Sequence, residues 1–187
     1  METVLLHIKN MVCPRCIYIV EKELRDLGIS VHHIELRLAS VSIPANISFE
    51  DIDERLTPYG LKLIKDKDEI QVENIKKKID EYILSLESKK INIRLSAFIG
   101  GEMRQNYYKL SKLFSFFESM SIDRYYIDRK IERIKELLED DELNISEIAQ
   151  SLGYSSVHYL SNQFKNVTGI TPTEHKNIFK TKLGCHD

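Results

Sequence analysis

One stretch of this chain recurs, and the recurrence limits the fold more than any other feature. Laying residues 95–122 on residues 145–172 sets Leu95, Phe98, Leu110, Ser111, Phe114, Met120 and Ser121 against Ile145, Ile148, Leu160, Ser161, Phe164, Ile170 and Thr171. The apolar spacing within each copy is helical, so two copies of one helical motif are expected. Between them runs Tyr126 to Glu139, whose Ile127, Ile131, Ile134 and Leu138 form one apolar stripe, a helix able to pack against both. In the second copy Asn144 can cap a short helix running to Leu152, and Ala149 is small enough to admit a neighbouring helix. Gly153 supplies a left-handed turn before a further helix from Ser156 to Asn166. A short helix, a glycine turn and a second amphipathic helix make a helix-turn-helix, whose second helix can enter the DNA major groove. The same offset sets Met103 against Gly153 and Ser119 against Gly169, and puts Gly100 and Gly101 inside the first helix of the first copy.

The chain ahead of the repeat reads differently. Short β-branched runs alternate with amphipathic stretches: strand Val4 to Lys9, helix Pro14 to Leu27 stopped by Gly28, strand Val31 to Leu38, strand Ser40 to Ile43, helix Phe49 to Leu56, strand Leu61 to Lys65. Ile17, Val20, Leu24 and Leu27 share one face of the first helix, and Ser48 with Asp51 resembles a capping box ahead of the second. This βαββαβ order predicts a ferredoxin-like antiparallel sheet with both helices on one face. A helix from Glu69 to Leu86, carrying Ile75, Ile79, Tyr82, Ile83 and Leu86 on one side, is read as a connector ended by Ser88 to Lys90. Its Lys76-Lys77-Lys78 run is read as a solvated face rather than a binding patch. The expected class is therefore α+β, with a ferredoxin-like module over 1–68, a connector over 69–90 and an all-α module over 91–187.

The second copy, Asn144 to Pro172, resembles the second helix-turn-helix of the AraC family of bacterial transcription regulators. The resemblance rests on Ile145-x-x-Ile148-Ala149-x-x-x-Gly153-Tyr154, on Leu160-x-x-x-Phe164-Lys165 and on Thr168-Gly169-Ile170-Thr171-Pro172. Lys130 to Leu138 is similar to that family's linker helix, and the likeness spans roughly residues 91–178. It implies a seven-helix domain with two motifs bound to double-stranded DNA. Ser155, Ser156, His158, Tyr159, Asn162, Gln163, Lys165 and Asn166 would face the DNA from the second motif, and Tyr107, Tyr108, Lys109 and Lys112 from the first. Asn and Gln can read adenine edges, while Tyr, Ser and Lys reach phosphates. Positions usually basic in the family hold Asn162 and Asn166, so affinity is expected to be modest and to lean on the second motif. The other reading of this half is a helical interaction domain that kept the fold without the DNA function.

Met11-Val-Cys13-Pro-Arg-Cys16 lies between a strand and a helix, which puts both sulfurs near one point. Amide groups at the helix start and Arg15 favour thiolates there. Two thiolates suit Cu(I), or Zn(II) if further ligands join. With Tyr59-Gly60, the Met-x-Cys-x-x-Cys spacing resembles the heavy-metal-associated domain of copper chaperones and metal-transporting ATPases. That resemblance implies Cys13 and Cys16 as ligands, with Met11 as a third candidate, although such a methionine is more often core. A glutaredoxin-like redox motif competes, with Pro44 the only nearby candidate for the later cis-proline loop such a fold needs, and so do plain surface thiols on a retained fold. His7, His32 and His33 are read as packing or surface residues, and Cys185-His186 as a terminus.

Charge adds a constraint. Twenty-seven Lys and Arg against 29 Asp and Glu give a net charge of −2, so any nucleic-acid contact must come from a local patch. No apolar run is long enough to span a bilayer and no leader precedes the first strand, which predicts a cytoplasmic protein without a membrane partner. No catalytic spacing or phosphate-binding glycine loop is present, so an enzyme is not expected. The expectation is a DNA-binding regulator, compatible with a homodimer and responsive to a soft metal ion such as Cu(I). The alternative is a metal chaperone or adaptor whose helical half binds a protein.

Overall fold

A computed structural model describes residues 3–88 and 93–183. They fall into two compact units, one ending at Lys77 and one beginning at Lys78.

The first unit is built from β1 (Thr3–Lys9), α1 (Pro14–Asp26), β2 (Ser30–Glu35), β3 (Leu38–Ser42), α2 (Phe49–Leu56) and β4 (Lys62–Ile64), with a single 3-10 turn at Thr57–Tyr59. The expected order is present. The strands line up β2-β3-β1-β4, and every neighbouring pair is antiparallel. Alternation along β1 turns Leu6 and Ile8 inward, and they meet Ala39 and Val41 of β3, Val20 and Leu24 of α1, and Ile52 and Leu56 of α2 in one core. Pro14 suits the first turn of α1 because its missing N–H would have no helical partner there. Ser48 and Asp51 form a reciprocal capping box on α2, as the sequence suggests.

One boundary is corrected. The second strand stops at Glu35 instead of continuing to Leu38, because the chain reverses at Leu36-Arg37, with Arg37 left-handed at φ 71°. Leu38 and Ala39 belong to β3, where they pair with Glu35 and Ile34. Arg37 is buried, and its guanidinium meets Glu73, which also pairs with Lys76.

The long helix α3 (Lys67–Glu87) contains the division between the units. In its first part Glu69 pairs with Lys9 and Lys77 with Glu35, so the Lys76 to Lys78 run is engaged in ion pairs rather than simply solvated. In its last part Asp80 pairs with Arg129, and Glu87 takes a two-pronged bond from Arg133 (2.7 and 2.9 Å). Tyr82 packs there against Phe98 and Tyr126 and donates to the Ile93 carbonyl.

The second unit continues with α4 (Leu95–Glu102), α5 (Tyr107–Glu118), α6 (Ile122–Asp140), α7 (Ile145–Ser151), α8 (Val157–Thr168) and α9 (Pro172–Leu183). The α6 stripe is core as expected at Ile131, Ile134 and Leu138, with Ile127 half-buried. A constant offset between the two copies does not hold. The helix α4 has 8 residues where α7 has 7, and the turn after it is one residue shorter. Arg104 (φ 50°), not Met103, takes the left-handed place of Gly153 (φ 69°). Ile99, not Phe98, is the buried counterpart of Ile148. Gly100 takes the place of Ala149: Gln105 N–H donates to its carbonyl as Tyr154 N–H donates to that of Ala149. A Cβ on Gly100 would lie 3.3 Å from the Gln105 carbonyl oxygen, so this glycine marks a close approach and not a broken helix. At the far end Ser119 adopts the left-handed cap (φ 55°) that Gly169 adopts in the second copy (φ 83°).

Candidate nucleic-acid interface and thiol pair

The helix α8 starts where Ser156 Oγ accepts from the Tyr159 amide at 3.1 Å and ends at left-handed Gly169. Leu160 and Phe164 are fully enclosed, which fixes the rotation of the helix and turns the opposite side outward. Ser155, His158, Tyr159, Asn162, Lys165 and Asn166 are exposed on that side. Asn162 Nδ2 lies 3.0 Å from His158 Nε2, so these two side chains brace each other one turn apart. Two of the expected contacts already have partners within the protein, one of them half-buried and the other exposed. Gln163 is half-buried, and its Oε1 accepts from the Tyr154 hydroxyl at 2.6 Å; the Ser156 hydroxyl serves as the helix cap. The open face is narrower than the sequence suggests, and polar rather than cationic, with Lys165 its one formal positive charge among the described residues.

The first copy differs in chemistry. Asn106 caps α5 through the Tyr108 amide at 2.9 Å, and Leu110 and Phe114 are core. Tyr108, Lys109 and Lys112 are exposed, with the Lys112 ammonium 4.6 Å from the Tyr108 ring centre, whereas Tyr107 is half-buried. Phe116, 80 % exposed, stands where α8 has Asn166. More positive charge faces outward from α5 than from α8.

Lys130 was not singled out by the sequence, although Ile127, Ile131 and Ile134 place it on the apolar side of α6 by helical spacing. It is buried, its ammonium 3.7 Å from the Tyr154 ring centre and 5.4 Å from that of Tyr126. Loss of water pulls its pKa down to about 8. Burial pushes the Tyr126 and Tyr154 phenols up, so both stay neutral.

In the first unit, Cys13 and Cys16 are partly exposed with sulfurs 3.3 Å apart at the start of α1. The loop before them is set by left-handed Asn10, whose amide donates to the Gly60 carbonyl at 2.9 Å. Across α1, the Tyr59 hydroxyl donates to Glu23 at 2.8 Å. The Cys13 thiol sits below its usual pKa, chiefly through the hydrogen bond with Cys16 and further through backbone amides of Cys16 and Arg15. Met11 is wholly enclosed in the core cluster with Leu6 and Ile8, and Cys16 packs against the same cluster. Among the described residues no cluster of three or more Cys, His, Asp or Glu could hold a metal ion. Among the described residues the site thus offers two thiolates and no further ligand of a closed zinc site, a donor set that suits a soft ion. His7 is half-buried with its pKa lowered by burial, His32 bonds Ser42 at 2.7 Å, and His33 is exposed. Cys185 and His186 lie outside the described residues.

No helix among the described residues is long and apolar enough to cross a membrane. Residues 101–178 match the helix-turn-helix domain family. The Msm operon regulatory protein of Streptococcus mutans is 34 % identical over 67 residues, 36 % of this chain and 24 % of that protein. The uncharacterized HTH-type transcriptional regulator YfiF of Bacillus subtilis is 34 % identical over 71 residues, 38 % of this chain and 22 % of that protein. The chain thus spans under a quarter of the length of these relatives. Among solved structures, a DNA-binding transcriptional dual regulator from Escherichia coli matches with a TM-score of 0.50 at 23 % identity, over 63 % of this chain and 96 % of that one. The C-terminal domain of AraT, a response regulator from Geobacillus stearothermophilus, has the same TM-score at 22 % identity, over 58 % of this chain and 84 % of that one. These two likenesses concern the fold.

Proposed function

We propose, from a helix-turn-helix domain matched over residues 101–178, that the chain is a DNA-binding transcriptional regulator of the AraC type. The observation that carries this reading is the outward side of α8, where Tyr159, Asn162 and Asn166 are exposed behind a capped start and a buried Leu160 and Phe164. In this reading α8 reads base edges, and α5 supplies the charge that holds the backbone through Lys109 and Lys112. The relatives are regulators by name, which supports a regulator over an enzyme.

Selection from a genomic fragment library, followed by titration of a retained fragment at several salt concentrations, tests it. With Lys109, Lys112 and Lys165 as the phosphate contacts, the slope of log affinity against log salt is expected near about −3. Lys109→Ala/Lys112→Ala should shrink that slope by about 2 while leaving the preferred sequence unchanged. Tyr159→Ala/Asn162→Ala should instead narrow the gap between preferred and random fragments by about 1–3 kcal/mol. Retention of no fragment at low salt would end the DNA reading in favour of an adaptor that binds protein.

We further propose that the first unit is ferredoxin-like and answers to a soft metal ion through Cys13 and Cys16. The paired sulfurs and the lowered Cys13 pKa support this. Bound Cu(I) would supply a charged centre on the two thiolates; the chain's part is to hold them at the start of α1, with the loop braced by Asn10. Titration of Cu(I) against a competing chelator should show uptake by the wild type and none by Cys13→Ser/Cys16→Ser. Equal affinity in the two proteins removes the pair from the site, and disulfide exchange lost in Cys13→Ser would favour the redox reading.

A further inference from the structure

A cleft of about 290 Å³ opens in the second unit between α6 and the second helix-turn-helix, lined by Tyr126, Ile127, Lys130, Gly153, Tyr154 and Tyr159, with Asp123 and Gln163 also on its wall. Its size is at the lower end for small-molecule sites, and aromatic and aliphatic carbon makes up most of the named wall. Lys130 is the feature that ordinary packing does not explain. It is only 6 % exposed and rests against the Tyr154 ring, yet no carboxylate or carbonyl among the described residues accepts from its ammonium. A buried cation facing aromatic rings is only partly compensated, and an anion entering the cleft would complete it.

We propose that this cleft binds a small organic monocarboxylate with a flat body, its carboxylate on Lys130 and its body against Tyr126, Tyr154 and Tyr159. Asp123 decides against more highly charged anions, because a second negative charge in so small a cleft would face it. The lowered pKa of Lys130 agrees with an ammonium that lacks a resident counter-charge. Because Gly153 is the turn of the motif and Tyr159 stands on the outward side of α8, an occupant would touch the element that reads DNA. Its effect on DNA affinity rests on the function proposed above; its binding does not.

The test therefore contains no DNA. Fluorine NMR titrations of the whole chain use para-fluorophenylacetate and its neutral amide as probes. The acid is expected to bind saturably at concentrations up to about 10 mM, and the amide at least about tenfold more weakly. Lys130→Met should weaken the acid at least about tenfold while its unfolding midpoint stays at or above that of the wild type. Asp123→Asn, an exposed change that leaves the core alone, should tighten the acid severalfold and keeps the test open if Lys130→Met misfolds. Equal binding of acid and amide, no saturable binding, or an acid affinity unmoved by both substitutions overturns the proposal. So does a folded Lys130→Met protein that binds the acid as tightly as the wild type.

Discussion

Phe164→Ala is expected to lower the stability of the second unit by about 3–5 kcal/mol, enough to unfold a large part of it under ordinary conditions. Phe164 is wholly enclosed on the inner side of α8, and its ring meets His175 of α9 edge to face at 5.7 Å. Removing it leaves a cavity where helix packing leaves little room to collapse, so the lost transfer energy and the cavity cost add. Phe116→Ala, by contrast, should change stability by no more than about 0.5 kcal/mol, because that ring is 80 % exposed. Urea unfolding followed by far-ultraviolet circular dichroism checks both. A Phe164→Ala protein no less stable than Phe116→Ala would mean that α8 is not docked as described.

Lys130→Met has the second largest expected effect, and it runs the other way. The pKa of Lys130 lies at about 8 in the folded chain, below the roughly 10.4 of a free lysine, so between these values the unfolded chain holds more of the proton. Wild-type stability should consequently rise with pH, by about 2 kcal/mol from pH 7 to 9.5, while the penalty for burying the ammonium is fully present below pH 8. The groups facing Lys130 set the upper limit of the window. Tyr126 and Tyr154 have raised pKa values, so above about pH 10 tyrosines that ionise in the unfolded chain begin to reverse the gain; Tyr159 and Asp123 line the same cleft. Lys130→Met removes the buried charge and should be more stable than wild type at pH 7 by about 1–2 kcal/mol, after allowing for the lost contact with the Tyr154 ring. That advantage should fade toward pH 9.5. Denaturant midpoints of the two proteins measured across this range give the difference directly, and a constant gap at every pH would contradict the burial of a charged lysine.

Much of the fold can be read from the sequence because it depends on local rules. The helices of the repeat follow from apolar spacing, and the caps at Ser48 and Asn144 and the left-handed turn at Gly153 from residue types suited to those places. What escaped depends on contacts between distant residues. Leu36-Arg37 carries no glycine or asparagine to mark a turn, so nothing local separates β2 from β3 there, and Arg37 accepts a left-handed backbone while its side chain reaches Glu73. The change of register in the first copy was hidden because Phe98 and Ile99 are both apolar; only packing against Tyr82 on one side and the core on the other tells them apart. The site was legible to the same degree. Exposed polar residues on α8 follow from helix rotation, but the diversion of Gln163 to Tyr154 and the enclosure of Lys130 needed the neighbouring elements in place.

The slip of one residue within the first copy also bears on how this domain can be re-engineered. The second helices match position for position, Tyr107–Glu118 against Val157–Thr168, so outward side chains can be exchanged between them in register. The first helices also start in register, Leu95 against Ile145, so a whole motif cut ahead of them keeps its length. A graft cut between the buried Ile99 or Ile148 and the end of the turn is out of phase by one residue, because the left-handed position falls at Arg104 in one copy and at Gly153 in the other.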